Sequence, residues 1–132
     1  MLIFFWQQPY RMDSKYWGKS LWHSMFCIAA NFPETYDAKN KEHRSIRKRQ
    51  KAFFDTLPHV LPCYYCREST LNVLTKVAPL DYSGRRQLMA TLYVWKAMVN
   101  EKLTSQDNKH RHLPSFDTVY KKYTKLLANC SR

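Results

Sequence analysis

Glycine is the scarcest residue in this chain: Gly18 and Gly84 are the only two among 132 residues. Tight hairpins and phosphate-cradling loops depend on glycine, so this scarcity argues against both. Long apolar runs are also missing, because the N-terminal MLIFFWQQPYR holds an apolar run too short for a signal-peptide core or a membrane span. The sequence therefore predicts helices joined by proline and polar connectors, with no membrane span.

Cysteines and acidic residues are few as well. The four cysteines, Cys27, Cys63, Cys66 and Cys130, are too few for a disulfide-stapled scaffold. The 10 acidic residues stand against 22 basic ones, which gives a net charge of +12. Such a charge suits a nucleic-acid binder, but the densest basic run, residues 39–51, has few aromatics and no recognised binding motif. A solvated basic surface is the favoured reading; nucleic acid is not expected as a partner, while acidic partners or membrane headgroups stay open.

Apolar residues, in contrast, are plentiful and recur at helical spacing. Hydrophobic residues make up 45% of the chain and aromatics 15%, which is enough for the core of one domain. The pattern predicts an all-α protein, an antiparallel four-helix bundle with an additional short fifth helix. An N-terminal extension is expected at residues 1–13 and a single domain at residues 14–130. The predicted helices cover about 14–32, 36–57, 63–77 (apolar face Leu71, Leu74 and Val77), 85–103 and a last helix that begins at Ser115.

The most specific motif is the pair Cys63 and Cys66, which follows Pro62 at a predicted helix start. The positive end of a helix stabilises a thiolate, the form that thiol–disulfide exchange requires. Two other readings stay open at this point. The pair could form half of a zinc site with His110 and His112, although no common finger has that spacing. It could also be a structural disulfide, although so short a loop restrains the chain very little.

Four short motifs follow one another along the chain: Trp17-Gly18-Lys19-Ser20-Leu21-Trp22, Asn31-Phe32-Pro33, Leu61-Pro62-Cys63-Tyr64-Tyr65-Cys66 and Val99-Asn100-Glu101-Lys102-Leu103. Taken in this order, they resemble the Erv/ALR family of FAD-linked sulfhydryl oxidases, especially its short virus-encoded members. The resemblance covers roughly residues 15 to 105. The chain departs from the family pattern at Phe26 and at Lys96-Ala97, where the family usually carries histidine and a His-Asn pair.

The resemblance implies a thiol oxidase with FAD beside the Cys-x-x-Cys. A dithiol substrate would attack Cys63, Cys66 would lie next to the flavin, and O₂ would accept the electrons and give H₂O₂. No metal is expected. Lys96 is our own addition, as a charge contact to FAD in place of the family's histidine. The cofactor-binding residues implied by position, with Lys96 added, are Gly18, Lys19, Trp22, Phe26, Lys96, Val99, Asn100, Lys102 and Leu103.

By the same resemblance, the partner is a dithiol protein, either a thioredoxin- or glutaredoxin-like carrier or a structural protein, and the oxidase is a homodimer. The expected location is the host cytoplasm or virion if the chain is viral, or else the mitochondrial intermembrane space. Cys27 is expected to be a buried free thiol, and Cys130, a single terminal thiol, has no assigned shuttle role. Two alternatives remain: an FAD-less helical interaction module, and a basic zinc- or nucleic-acid-binding protein.

Overall fold

A computed structural model describes residues 12–127; Cys130 and the N-terminal apolar run lie outside that range. Within it there are five α-helices, a π-helical turn and no strand, which confirms the prediction of an all-α bundle with a short fifth helix. The helices are α1 (Ser14–Ala30), α2 (Lys41–Val60), α3 (Tyr64–Asn72), which continues into the π-helical turn Val73–Val77, α4 (Arg85–Asp107) and α5 (Phe116–Leu126).

Side-chain caps decide where three of these helices begin. Asp13 accepts the backbone N–H of Lys15 at the start of α1, as its sequence position predicts. Ser115 caps α5 in the same way, by accepting the N–H of Thr118. Asn40 accepts two backbone N–H groups at the start of α2, so this helix begins at Lys41 and not at the predicted residue 36.

Three helix ends differ from the predicted ones. The first helix ends at Ala30, two residues before the predicted Phe32, which is fully buried beyond the helix. The second continues to Val60 with Pro58 inside its last turn. Proline has no N–H to donate, and the loss of this one hydrogen bond does not end the helix. The fourth continues to Asp107, because Asn108 adopts the left-handed conformation (φ 57°) and donates its N–H to Thr104 O.

The predicted apolar face of the third helix is confirmed for Leu74, which packs on the core, and is wrong for Leu71 and Val77. Leu71 and Val77 are 37% and 54% exposed, whereas Thr70 and Val73 are buried. The π-helical turn Val73–Val77 changes the angular position of Val77, so a face drawn with a 3.6-residue period does not extend to it.

The core lies between α1, α4 and α5, with α2 packed on α3. Arg85 joins the start of α4 to the end of α1: its N–H donates to Pro33 O (2.8 Å) and its guanidinium Nε to Phe32 O (3.0 Å). These bonds satisfy carbonyls that would otherwise lack partners beyond the helix end. The buried apolar residues are Met25, Phe26, Ala29, Ala30, Phe32, Phe54, Leu57, Leu61, Cys63, Val73, Leu88, Met89, Leu92, Trp95, Val119 and Tyr123.

Candidate redox site

The start of α3 is formed by Cys63 itself. Cys63 has an extended backbone (φ −157°, ψ 121°), and its Sγ accepts the backbone N–H of Cys66 at 3.4 Å. Sulfur here takes the place of the oxygen that usually caps a helix. The two cysteines are thus one helical turn apart at the positive end of a helix, as the sequence predicts.

The segment before Cys63 is fixed by hydrogen bonds to one carbonyl. Leu61 O accepts the N–H of Cys63 (2.8 Å) and the guanidinium of Arg67 (2.7 Å). Cys63 O in turn accepts the N–H of Arg67 (2.9 Å). Arg67 thereby holds the first turn of α3 against the approach segment, which fixes the direction in which Cys63 Sγ points.

The chain just before α1 covers one side of this segment. The N–H of Met12 donates to Pro62 O at 2.9 Å, and the indole Nε1 of Trp17 donates to Met12 O at 3.2 Å. Cys63 is only 5% exposed, whereas Cys66 is half-buried. A substrate that attacks Cys63 must therefore reach a sulfur that is largely covered.

Aromatic rings from α1, α4 and α5 form a second part of the candidate site. Trp22 contacts Trp95 edge-on, with ring centroids 4.6 Å apart, and Phe26 stacks on Tyr123 at 5.3 Å. Phe26 is 2% exposed, so it belongs to the core, whereas Trp22 is only partly buried. The indole Nε1 of Trp95 is buried and has no hydrogen-bond partner among residues 12–127, which is rare for a buried donor.

Three lysines come together beside these rings. Lys96 Nζ lies 6.0 Å from the centroid of Trp22 and 5.9 Å from that of Phe26. Burial lowers the pKa of Lys96, and the positive charges of Lys122 and Lys19 lower it further. None of the three ion pairs found within residues 12–127 involves these lysines, so their combined charge attracts anions.

Two cavities lie along one face of α4 and share Leu113. The smaller, about 110 Å³, is lined by Phe26, Lys96, Lys122 and Tyr123 among others. The larger, about 520 Å³, is lined by Asn100 and Arg111 together with further residues of α4. It is a shallow groove open to solvent, so its volume alone does not indicate a ligand site.

The structure brings together some of the predicted cofactor residues and separates others. Phe26, Lys96 and Asn100 line the two cavities, and Trp22 contacts Lys96 from α1. Val99 and Leu103 are half-buried and Lys102 is exposed, and none of these three lines either cavity. Gly18 is also outside both; a Cβ added there would meet only Ser14 Cβ, at 3.9 Å.

Residues from α5 and its connector were missed by sequence reasoning. Lys122, Tyr123, Leu113 and Arg111 line the cavities, yet the resemblance ends near residue 105. The only sequence signal for them is the helical face of α5, which contains Tyr123. That signal indicates burial and does not indicate a contact with Lys96.

The residues present are compatible with FAD, the cofactor that members of the resembled family typically bind. Aromatic side chains can hold the ring system, and the lysines can neutralise a pyrophosphate. The unpaired indole N–H of Trp95 is a donor that a bound ring acceptor would satisfy. The smaller cavity must widen for a three-ring system, whereas the larger already has room for a nucleotide base.

A membrane-spanning or metal-binding role finds no support in residues 12–127. No helix there is long and apolar enough to cross a membrane. In the same range no three His, Cys, Asp or Glu side chains are placed to hold a metal ion. His110 and His112 are exposed in the connector before α5, so the zinc arrangement considered from the sequence is not assembled.

We expect Lys96→Met to raise the free energy of unfolding at neutral pH, by less than about 1 kcal/mol because solvent screens a half-buried charge. The pKa of Lys96 is lowered in the folded protein, so the folded state loses this proton first as pH rises. The cost of the charge is fully present below the folded-state pKa and disappears as pH rises toward the ordinary lysine value. Urea unfolding should therefore show that Lys96→Met raises the free energy of unfolding less at about pH 10 than at pH 7.

Lys102→Met is the matched control, because Lys102 is exposed on the same helix. It should leave the unfolding free energy nearly unchanged at both pH values. A gain for Lys96→Met that is as large at high pH as at neutral pH would contradict the burial cost assigned to Lys96.

Comparison with known proteins agrees with this arrangement. The sequence model of the Erv1/Alr family matches residues 19–123, which is well over half of the chain and includes every helix except the start of α1 and the end of α5. No curated protein matches the chain. The matched range contains both cysteines of the pair, the aromatic and lysine residues of the cavity region and the part of α4 that lines the cavities. The chain therefore belongs to the Erv1/Alr family, which is known for sulfhydryl oxidase activity.

Proposed function

We propose that the chain is an FAD-dependent thiol oxidase that forms disulfides in partner proteins and passes the electrons through Cys63 and Cys66 and FAD to O₂, giving H₂O₂. The observation that supports this most directly is the capping of α3 by Cys63 Sγ, with the N–H of Cys66 pointing at that sulfur. Two cysteines one turn apart at a helix start suit thiol–disulfide exchange, whereas a disulfide across so short a loop would restrain the chain very little. Family membership supports the same general chemistry.

The cysteine chemistry follows from this geometry. With the pair oxidised, a substrate thiolate attacks Cys63 Sγ, forms a mixed disulfide and releases Cys66 as a thiolate. The second substrate thiol then attacks its own bound sulfur, which closes the substrate disulfide and releases Cys63 as a thiolate. The Cys66 N–H and the start of α3 stabilise that second leaving group. Because Cys63 is 5% exposed, the chain around it must move to admit the substrate.

When bound, FAD would accept two electrons from the reduced cysteine pair and deliver them to O₂. Trp22 and Phe26 would hold its ring system, and Lys96, with Lys19 and Lys122 nearby, would neutralise its phosphates. Asn100 would contact the nucleotide end from the larger cavity. In this proposal the charge of Lys96 contacts FAD in place of the histidine ring that the family usually has.

We further propose a dithiol protein as substrate and a homodimer formed through α1 and α2. Tyr16 on α1 and Phe53 on α2 are 70% and 38% exposed, and aromatic side chains of this kind are enriched in interfaces. A viral origin and action in the host cytoplasm or virion, or alternatively in the mitochondrial intermembrane space, belong to the same proposal.

The purified full-length protein should show the visible absorption of oxidised flavin, and Lys96→Met should lower the flavin content while Lys102→Met, its exposed neighbour on α4, changes it less. The elution volume of the same preparation tests the homodimer. Colourless protein with one equivalent of zinc would overturn the oxidase and favour the zinc protein. Colourless, metal-free protein that does not take up added FAD would favour an interaction module.

A further inference from the structure

A second thiol group, separate from the Cys63–Cys66 pair, lies where α1 meets α5. Cys27 Sγ is 3.8 Å from His23 Nε2, one helical turn earlier on α1. His23 Nδ1 is 3.0 Å from the hydroxyl oxygen of Tyr123 on α5. A nucleophile, a base and a group that orients the base thus stand in line, contributed by two helices.

The hydroxyl of Tyr123 decides which nitrogen of His23 faces the thiol. With Nδ1 protonated, the imidazole donates to the Tyr123 oxygen, and the lone pair of Nε2 faces Cys27 Sγ. Burial and the nearby Cys27 raise the pKa of Tyr123, so its hydroxyl stays neutral at physiological pH. Stacking on Phe26 (centroids 5.3 Å apart, planes 19° apart) holds the tyrosine ring in place. The contact with Tyr123 keeps Nε2 facing Cys27, and in the tautomer with Nδ1 protonated the imidazole can accept the thiol proton.

The group is accessible, and a lysine lies beside its tyrosine. His23 is exposed and Cys27 half-buried, which corrects the expectation that Cys27 is a buried thiol. Lys122 Nζ lies 5.2 Å from the ring centroid of Tyr123, and the charges of Lys122 and Lys19 both act on Lys96. These cations favour the approach of an anionic partner.

We propose that Cys27, His23 and Tyr123 form a second exchange site, which takes small anionic disulfides and stores them as a mixed disulfide on Cys27. His23 Nε2 takes the Sγ proton, and the Cys27 thiolate attacks one sulfur of the disulfide. The disulfide S–S bond breaks as the Sγ–S bond forms, and the leaving thiolate takes the proton from His23. One disulfide gives one mixed disulfide and one thiol, so no further oxidant is needed. The exchange step itself uses no flavin, although Tyr123 and Lys122 also line the smaller cavity assigned above to FAD.

The test uses the full-length protein and two probes, glutathione disulfide, which carries carboxylates, and the uncharged 2-hydroxyethyl disulfide. Peptide mass spectrometry follows the mixed disulfide on Cys27 separately from the other cysteines. Cys27 should react at least about tenfold faster than N-acetylcysteine at neutral pH, since an unassisted thiol is only a few per cent thiolate. His23→Gln should remove most of that difference, and its rate should rise more steeply from about pH 6 to 8 than that of the unchanged protein.

Tyr123→Phe keeps the stacked ring and removes the hydroxyl that orients His23. If His23→Gln does not fold, Tyr123→Phe tests in its place whether His23 assists Cys27. Lys122→Gln should slow the reaction with glutathione disulfide about threefold and leave 2-hydroxyethyl disulfide unaffected. A Cys27 rate equal to that of N-acetylcysteine, or one unchanged in both His23→Gln and Tyr123→Phe, overturns the proposal. Equal slowing of both probes by Lys122→Gln overturns the preference for anions.

Discussion

Cys63→Ser is expected to abolish dithiol oxidation while leaving α3 intact. Serine cannot form the disulfide that accepts electrons from the substrate, so O₂ consumption with dithiothreitol should fall to that of the uncatalysed reaction. Serine is, however, among the best helix caps, and its Oγ can accept the Cys66 N–H that sulfur accepts in the native protein. Cys63→Ser therefore removes the redox role of this residue and keeps its role as a helix cap.

Two variants complete this test. Cys63→Ala also lacks the sulfur but has no cap, and it should unfold about 1 kcal/mol more readily than Cys63→Ser. Cys27→Ser removes a thiol outside the pair and should retain turnover. Dithiothreitol oxidation by Cys63→Ser at a rate near that of the unchanged protein would refute the role given to Cys63; equal stability of the serine and alanine variants would refute the cap.

Gly84→Ala is expected to destabilise the protein by about 1–3 kcal/mol. The backbone of Gly84 is extended (φ 178°), which any residue can adopt, so the constraint is one of space. A Cβ at this position would lie 2.7 Å from Glu34 O and 2.5 Å from Gln87 Oε1. The glutamine can swing away, but the carbonyl belongs to the segment after α1 that Arg85 holds to α4. Alanine must therefore push apart the ends of two helices.

Gly18→Ala is the matched control, because its Cβ would have only a 3.9 Å contact with Ser14 Cβ inside α1. It should stabilise the protein by about 0.5–1 kcal/mol through the helical preference of alanine. Urea unfolding of both variants measures the difference directly. Equal effects of the two substitutions would show that the close approach of Glu34 O to Gly84 does not constrain the fold.

Helix starts were predictable where a single side chain decides them. Asp13 and Ser115 accept backbone N–H groups only two or three residues away, so their effect can be read locally. The extension of α4 to Asp107 and the exposure of Val77 could not be read in this way. The first depends on one left-handed residue, Asn108, and the second on a π-helical turn. Neither feature produces a hydrophobic periodicity that the sequence would show.

The same distinction between local and non-local causes applies to the candidate site. Cys63 and Cys66 were predictable because their chemistry depends on spacing and on a helix start, both of which are local. Lys96 was reached through its position in a motif, but its lowered pKa depends first on burial and then on the charges of Lys122 and Lys19, which come from two other helices. Its neighbours are distant in sequence, and a single sequence contains no record of that contact.

The sulfur of Cys63 is at once the cap of α3 and one half of the redox pair. A thiolate accepts the Cys66 N–H strongly, whereas a sulfur within a disulfide accepts it only weakly. The helix start is therefore better satisfied in the reduced protein than in the oxidised one. By thermodynamic linkage the same difference in free energy favours reduction, as in oxidoreductases that oxidise strongly because their reduced form is stabilised. The reduction potential of the pair and the stability of the first turn of α3 are thus coupled, and a substitution that strengthens this one hydrogen bond would make the protein a stronger oxidant of its substrates.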